Sequence, residues 1–240
     1  MDSIIYCGND FGAYCTAERI DPAPPTLIPV THTIPGRPGA CLRTSEIAPR
    51  IVLIRLFTDA GASLDSRRRD EIRRALNAWL TVPEGGELAP PGDYLLTYRD
   101  AVVTDVEGWD PMFGDAGTLV EFTCFDPIAY GTERAVAGNN ITVKGTWPTK
   151  PSISITPPEP GDFILVGDDR SGHAVRIDRE FAGDEVVNIN FNRELVTVNA
   201  APANDCLAFD SNFFSLIPGD HEFTLFGCAE FKVTWFERWV

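Results

Sequence analysis

The strongest constraint on the fold is the spacing of short apolar runs, which proline, glycine, asparagine and aspartate interrupt along most of the 240-residue chain. After residue 140, many short segments have strand character, and none has a helical period. Many short strands with turn residues between them predict an antiparallel β-sandwich or jelly roll. The candidate strands are 141–147, 152–156, 163–166, 174–178, 186–191, 195–199, 221–226 and the alternation Phe231, Val233, Trp235.

One segment, 66–80, has the apolar period of an amphipathic helix, with Ile72, Leu76 and Leu80 on one face. Asp65 or Ser66 can accept hydrogen bonds from its first turn, and Pro83 stops it. Five arginines lie on the opposite face: Arg67, Arg68, Arg69, Arg73 and Arg74. We expect a solvated face, with contact to an acidic neighbouring subunit as the alternative.

The helix lies among three further candidate strands, 51–58, 94–106 and 118–125, which predicts a separate N-terminal β domain. Small and polar residues from 131 to 140 show no apolar period, so we place a domain boundary near residue 135. The predicted domains are therefore 1–135 and 136–240. Residues 21–39 are rich in proline, including Pro24 and Pro25, and predict an extended arm or an ordered loop.

Composition argues against several classes of partner. The formal net charge of −15 is unsuited to binding phosphate backbones, so we expect no direct nucleic-acid binding. No apolar run approaches the roughly 18 residues of a spanning helix, so no membrane insertion is expected. The N-terminus shows no signal-peptide pattern, which predicts synthesis and folding in the cytoplasm. Six cysteines without a C-x-x-C pair predict buried free thiols.

The sequence contains no pattern that indicates a catalytic residue, a cofactor or a metal site. The three histidines, His32, His173 and His221, are far apart and lie in no metal-ligand spacing. Nucleophile-elbow, phosphate-loop and dinucleotide motifs are missing. The acidic pairs Asp168–Asp169 and Asp184–Glu185 each follow a glycine, so we interpret both as turns.

The aromatic residues of the second half allow two interpretations. Trp147, Trp235, Phe236 and Trp239 could stack on sugar rings, but aromatics at alternate strand positions are core residues by default. In the terminal strand, both tryptophans of 235–239 lie on the face opposite Phe236. One of these faces needs cover from a neighbouring domain or subunit, which points to assembly.

Several motifs occur in an order that resembles the distal tail protein family of long, non-contractile-tailed bacteriophages. Tyr6 and Gly8 come first, and the turn around Gly36 follows. The pattern F-x-C-x-D-P-x-x-Y, the most specific one, spans 122–130, and S-x-F-F-x-L-x-P-G spans 211–219. The motif residues are Gly36, Cys124, Asp126, Pro127, Tyr130, Phe213, Phe214, Pro218 and Gly219. We interpret all of them as architectural.

The resemblance implies a mainly β chain: an N-terminal β-sandwich or split-barrel ring domain with one α-helix, then a C-terminal galectin-like or jelly-roll sandwich. It implies a homo-hexamer at the virion tail tip, made in the bacterial host, with the tail tube protein, the tip or lysin protein and the tape-measure protein as partners. No enzymatic activity is implied. Candidate subunit contacts are Pro24, Pro25, Arg68, Arg69 and Trp239.

Two alternatives to a structural hub remain open at this stage. The first is a carbohydrate-binding module for the host cell wall, with a weak saccharide ligand, because the second half is all β and rich in aromatics. The second is a glycoside hydrolase whose carboxylates the motifs do not reveal. Glycan binding and cell-wall hydrolysis, respectively, would distinguish them from the hub.

Overall fold

The computed structural model describes residues 3–20, 24–58, 65–92, 95–113, 116–156 and 160–240. Within these residues the chain is mainly β-structure with a single α-helix, as predicted. It divides into two units, Met1–Tyr130 with Val240 and Gly131–Trp239. The division falls inside one strand, Ala129–Ala137. Part of the small and polar segment 131–140 is therefore strand, and the domain boundary near residue 135 stays a prediction.

The first unit is built around a sheet with the strand order β3–β6–β9–β8–β7–β1–β2. The two strands of a separate hairpin, β4 and β5, pair with each other. The strands are β1 (Ile5–Tyr6), β2 (Asn9–Asp10), β3 (Thr16–Ile20), β4 (Leu27–His32), β5 (Cys41–Ile47), β6 (Arg50–Phe57), β7 (Gly86–Ala89), β8 (Thr97–Val106), β9 (Thr118–Cys124) and β10 (Ala129–Ala137). Short 3-10 turns span Phe11–Ala13 and Asp110–Phe113.

Alternation of β-branched and large apolar residues positions the core of this sheet. Val52, Ile54 and Leu56 of β6 are fully buried. Val52 lies opposite Phe122 of β9 in an antiparallel register. Each such side chain contributes about 1.5–3 kcal/mol when it is fully buried. The predicted strands at 51–58 and 118–125 are thus confirmed to within a residue at each end, whereas the strand predicted at 94–106 begins at Thr97.

The predicted helix is confirmed as α1 (Ser66–Leu80). The Asp65 carboxylate accepts a hydrogen bond from the Arg68 backbone N–H at 2.7 Å and so caps the first turn. Ile72, Leu76 and Leu80 are buried. The expected solvated arginine face is only partly correct. Arg69 and Arg73 are half-buried, because their guanidinium groups lie over the ring of Phe113, at 5.8 and 5.2 Å from its centre.

The second unit is a β-sandwich, as predicted. One sheet has the order β17–β16–β15–β12–β19 and the other β11–β18–β13–β14. The strands are β11 (Asn140–Val143), β12 (Ser152–Thr156), β13 (Gly161–Asp168), β14 (His173–Phe181), β15 (Val187–Asn190), β16 (Leu195–Val198), β17 (Ala201–Pro202), β18 (Gly219–Phe226) and β19 (Glu230–Trp239). A 3-10 turn spans Asn204–Cys206.

Both sheets of the sandwich contribute to one core. Ile153 of β12 lies between Ile189 of β15 and Val233 of β19, and all three are buried. Val166 and Phe223 add side chains from the other sheet to the same cluster. The inward positions alternate with outward polar ones along each strand, which is the pattern that the sequence showed.

Candidate functional site

The β4–β5 hairpin of the first unit exposes several large apolar side chains. Leu27 is 60% exposed, Leu42 is 64% exposed and Ile28 is 49% exposed. Among the described residues, β4 and β5 pair with each other and with no third strand. The proline-rich segment is therefore not simply a loop, since part of it is a strand. Pro29 fits because both strands are edges, where a missing backbone N–H breaks no ladder bond.

The hairpin tip holds the first of the predicted motif residues. Gly36 has φ +81° with open space around it, a conformation that a side chain would strain. Ile34 beside it is exposed, and the Arg37 guanidinium lies 3.3 Å from the Cys41 Sγ. Pro24 is exposed and Pro25 is half-buried at the base of the arm. These residues make the hairpin an apolar arm with a basic side chain at its end.

The two helix arginines predicted as subunit contacts have different surroundings. Arg68 is exposed, pairs with Glu71 at 3.1 Å and lies over the ring of Tyr14. Arg69 is half-buried against Phe113. Arg68 is thus presented to solvent, whereas Arg69 serves the packing of its own chain.

The D-P-x-x-Y motif forms a corner between β9 and β10. The Asp126 carboxylate accepts hydrogen bonds from the Ile128 backbone N–H at 3.1 Å and from the Tyr130 hydroxyl at 2.8 Å. The Arg99 guanidinium lies 3.8 Å from the centre of the Tyr130 ring, a cation–π contact that the sequence did not reveal. Pro127 lies between Asp126 and Ile128, which the first of these hydrogen bonds joins, and the motif therefore fixes a turn.

Cys124, which ends β9, is fully buried, and burial raises the pKa of its thiol to about 12. All six cysteines are free thiols. Cys15 and Cys124 are buried as expected, whereas Cys7, Cys41, Cys206 and Cys228 are only half-buried. Cys124 is therefore a packing residue and a poor nucleophile at neutral pH.

In the second unit, the F-F motif residues anchor the segment before β18. The Phe214 ring is buried 4.5 Å from the ring of Phe191, and the half-buried Phe213 ring lies 5.6 Å from it. Pro218 and Gly219 then make the turn into β18, with Gly219 at φ +115°. A Cβ at Gly219 would lie 2.5 Å from the Arg170 guanidinium, which is the movable end of a flexible side chain, so it is the positive φ that favours glycine here.

The turn interpreted at Asp168–Asp169 is present, since Asp169 lies in the turn that follows β13, but the side chain of Asp168 has a further, buried role. Asp168 ends β13 and is 1% exposed. Its Oδ1 lies 2.8 Å from Nδ1 of His221, and its Oδ2 accepts the Ser171 backbone N–H at 3.0 Å. Burial by itself raises the pKa of this carboxyl, but the hydrogen bonds from His221 and Ser171 outweigh it and lower the pKa. The partners are far apart in sequence, and no motif links them.

Glu237 is a second buried carboxylate that sequence reasoning missed. Its Oε2 accepts the backbone N–H groups of Lys144 and Gly145 at 2.8 and 2.6 Å, and its Oε1 accepts the Trp235 indole N–H at 3.3 Å. It ties the end of β11 to β19. The alternation along β19 was the available signal, because it places Glu237 on the inward face with Trp235.

The predicted aromatic set does not form one exposed platform. Trp235 is 3% exposed, which confirms it as core, and Trp147 and Trp239 are half-buried. Phe236 is exposed on the opposite face of β19, as the alternation predicted. Within the described part of the chain, no group of three or more His, Cys, Asp or Glu side chains is placed to hold a metal ion. No helix among those residues is long and apolar enough to cross a membrane.

Comparison with known proteins agrees with the fold. Residues 144–239 match the family model of the siphovirus-type tail component, C-terminal domain. The crystal structure of the SPP1 Dit (gp 19.1) protein, described as a paradigm of the hub adsorption apparatus of phages infecting Gram-positive bacteria, aligns over 100% of both chains. Its TM-score is 0.78 and its sequence identity 16%.

Two structures of the phage P2 baseplate in its activated conformation, with Ca and with Sr, align less well. Each has a TM-score of 0.41, with 11 and 13% identity over 97 and 98% of both chains. The comparison with curated proteins gives no match. The predicted resemblance is therefore confirmed: residues 144–239 match the siphovirus-type tail component domain, and the whole chain has the fold of the SPP1 Dit hub protein.

Proposed function

We propose that this protein is a structural, non-catalytic hub of a phage tail tip, and that six copies form a ring between the tail tube and the tip apparatus. The observation that carries the proposal is the whole-chain fold of a tail hub protein together with an apolar hairpin that its own chain leaves exposed. The tail tube protein, the tip or lysin protein and the tape-measure protein are the proposed partners at the virion tail tip.

The hairpin supports assembly on physical grounds. A single two-stranded hairpin is marginally stable in water, and exposed leucine and isoleucine side chains on it cost further free energy until they are covered. In the part of the chain that the structure describes, no third strand lies beside either edge of the hairpin, and an open edge can pair with a strand of another chain. In a ring of identical chains, each subunit covers the arm of one neighbour, so that every arm in the ring is covered. In the proposed ring, the hairpin with Pro24 and Pro25 at its base contacts the adjacent copy.

The exposed arginines of α1 are the second proposed contact. Arg67 and Arg68 share Glu71 as an ion-pair partner, and Arg67 remains largely exposed. A chain with a net charge of −15 offers acidic surface for these cations on a neighbouring copy. Trp239, half-buried at the end of β19, remains a proposed contact. Arg69, which packs on Phe113, is not proposed as one.

The test is the mass of the purified full chain by light scattering at several concentrations, with negative-stain imaging of the same fraction. We expect six-fold rings with six times the mass of one chain. The double variant Leu27→Ser/Leu42→Ser should reduce the mass to that of a monomer. Leu95→Ser is the matched control, because Leu95 is equally exposed at 69% but lies outside the hairpin. A hairpin variant that assembles like the control would refute the role of the arm.

A monomeric wild type that stays monomeric with tube and tip partners present would refute the ring. The second candidate function is then saccharide binding, and a specific surface favours it. Phe163 and Phe226 are exposed on the outer face of the β13–β18 pair, and the Arg176 guanidinium lies 4.6 Å from the Phe163 ring centre. Calorimetry of the full chain with host-wall saccharides tests this candidate. Binding that Phe226→Ser abolishes would support it, and no heat with any saccharide would exclude it.

A further inference from the structure

His221 faces a hydrogen-bond acceptor at each of its two ring nitrogens. Nε2 lies 2.7 Å from the Ile217 carbonyl oxygen, and Nδ1 lies 2.8 Å from Oδ1 of Asp168. Both side chains are fully buried. A carbonyl oxygen only accepts, so Nε2 must carry a hydrogen. A short contact between Nδ1 and a carboxyl oxygen needs a second hydrogen between them.

Two arrangements have this hydrogen count: an imidazolium beside a carboxylate, or a neutral imidazole beside a carboxylic acid. The Ser171 backbone N–H donates to the other Asp168 oxygen, which favours the ionised carboxyl. His221 is then the cation of a buried, neutral ion pair. Each N–H group of the His221 ring then has an acceptor.

We propose that His221 and Asp168 form a proton-dependent latch that ties the Pro218–Gly219 turn to the end of β13. Loss of the shared proton at alkaline pH leaves a carboxylate facing the bare Nδ1 lone pair in a buried site. Gain of a second proton at acid pH neutralises Asp168 and leaves the buried imidazolium without its counter-charge. Either change makes the closed turn unfavourable, so the latch holds only between these two limits.

The other charged groups near His221 and Asp168 are exposed, hydrogen-bonded to other residues, or part of the neighbouring groove. The Asp169 carboxylate accepts from the Thr224 hydroxyl, and the Arg170 guanidinium donates to the Asp220 carbonyl. The Asp220 carboxylate accepts from the Thr142 hydroxyl. His173 and Glu222 are exposed. The groove beside His221 is lined by groups of both signs, namely Arg134, Lys144, Asp220 and Glu237. We expect these groups to shift the two pH limits of the latch. They do not substitute for the proton that His221 and Asp168 share.

The latch controls a segment that matters for the sandwich. The backbone from Phe214 to Ile217 carries the Phe214 ring into the core against Phe191 and hydrogen-bonds to Thr149 through Leu216. Releasing the Ile217 carbonyl frees the C-terminal end of this segment and the first residues of β18. The latch lies within a single chain, so the test of the latch does not depend on whether the proposed ring forms.

The first test is nitrogen NMR of the ring in the full chain labelled with ¹⁵N-histidine, at neutral and mildly alkaline pH. We expect both ring nitrogens of His221 to carry hydrogen at neutral pH, as the two acceptors at 2.7 and 2.8 Å require. A His221 ring with one bare nitrogen at neutral pH would overturn the proposal. This measurement needs no variant, so it decides even where a substitution unfolds the chain.

The second test uses Asp168→Asn, which keeps the hydrogen bonds without the shared proton. The new amide can donate to Nδ1 of a neutral His221 while its oxygen accepts the Ser171 N–H. In the wild type, exchange of the Gly219 and His221 amides, corrected for its intrinsic pH dependence, should rise about tenfold per pH unit once the proton leaves. In Asp168→Asn this extra dependence should vanish, and in the control Asp169→Asn it should remain. An unchanged dependence in Asp168→Asn would refute the latch.

Discussion

The β4–β5 hairpin and the turn before β18 are both tight chain reversals with proline and glycine, yet they differ in what covers them. At the hairpin, Leu27 and Leu42 are more than half exposed, and neither strand pairs with a further strand among the described residues. At the turn, Asp168 and His221 are buried and each polar atom has a partner in the same unit. The first region is unfinished within one chain, and the second is complete.

This difference shows where sequence change is costly for folding and where it is costly for assembly. Buried polar and aromatic groups must find their partners within the chain, because an unmet donor or a cavity costs free energy at once. Exposed apolar groups have little to lose in the monomer. Substitutions in the two kinds of region should therefore change the free energy of unfolding by very different amounts.

Phe214→Ala should be the most destabilising of these substitutions, by about 3–5 kcal/mol, because it leaves a cavity between Phe191 and Phe223. Urea denaturation of the full chain, followed by tryptophan fluorescence, measures the loss. Phe209→Ala is the control, since Phe209 lies in the same unit but is fully exposed, and it should change the free energy by less than about 0.5 kcal/mol. Equal losses in both variants would contradict the assignment of Phe214 to the core.

Alkaline pH should destabilise the first unit through its buried thiols. Burial raises the pKa of Cys15 and of Cys124 from 9.0 to about 12. Between pH 9 and 12 the unfolded thiols ionise while the folded ones stay neutral, so the stability present below pH 9 falls as the pH rises. Near pH 10 the loss is of order 1 kcal/mol for each thiol.

Denaturation of Cys124→Ala at pH 7 and at pH 10 measures this effect, since the variant should lose less stability than the wild type on going to pH 10. Cys41→Ala, which removes a half-buried thiol of the hairpin, should behave like the wild type. The interpretation fails if both variants show the same change between the two pH values.

Local periodicity in the sequence predicted the helix and several strands. Contacts between residues that are far apart in the chain were not predicted. The period of Ile72, Leu76 and Leu80 located α1 to the residue, and the alternation in β6 and β9 located two strands closely. Strand β5 was missed because its side chains are exposed and show no apolar alternation. Asp168 and His221 are joined only by the folded sheet, so a Gly-Asp-Asp sequence looked like an ordinary turn.

Glu237→Gln should cost about 1–3 kcal/mol, less than the cavity variant. Three donors converge on this carboxylate, two of them backbone N–H groups on one oxygen. The glutamine amide presents an NH2 group to at least one of them in either orientation, so one buried donor loses its acceptor. Urea denaturation measures the change against Glu230→Gln, at the exposed start of the same strand. A loss no greater than that of the control would mean that Glu237 does not hold the end of β11.

Leu42→Ser should have the smallest effect on the folding of the single chain, below about 0.5 kcal/mol, because its side chain is already 64% exposed. Its effect should appear only in assembly. If the hairpin contacts a second copy, the midpoint of wild-type thermal unfolding rises with protein concentration, since association stabilises the folded chain by mass action. In Leu42→Ser this concentration dependence should be reduced, whereas the midpoint at the lowest concentration should match the wild type. A variant that is less stable at every concentration by the same amount would show that Leu42 packs within its own chain, and the contrast between the unfinished hairpin and the complete turn would not hold.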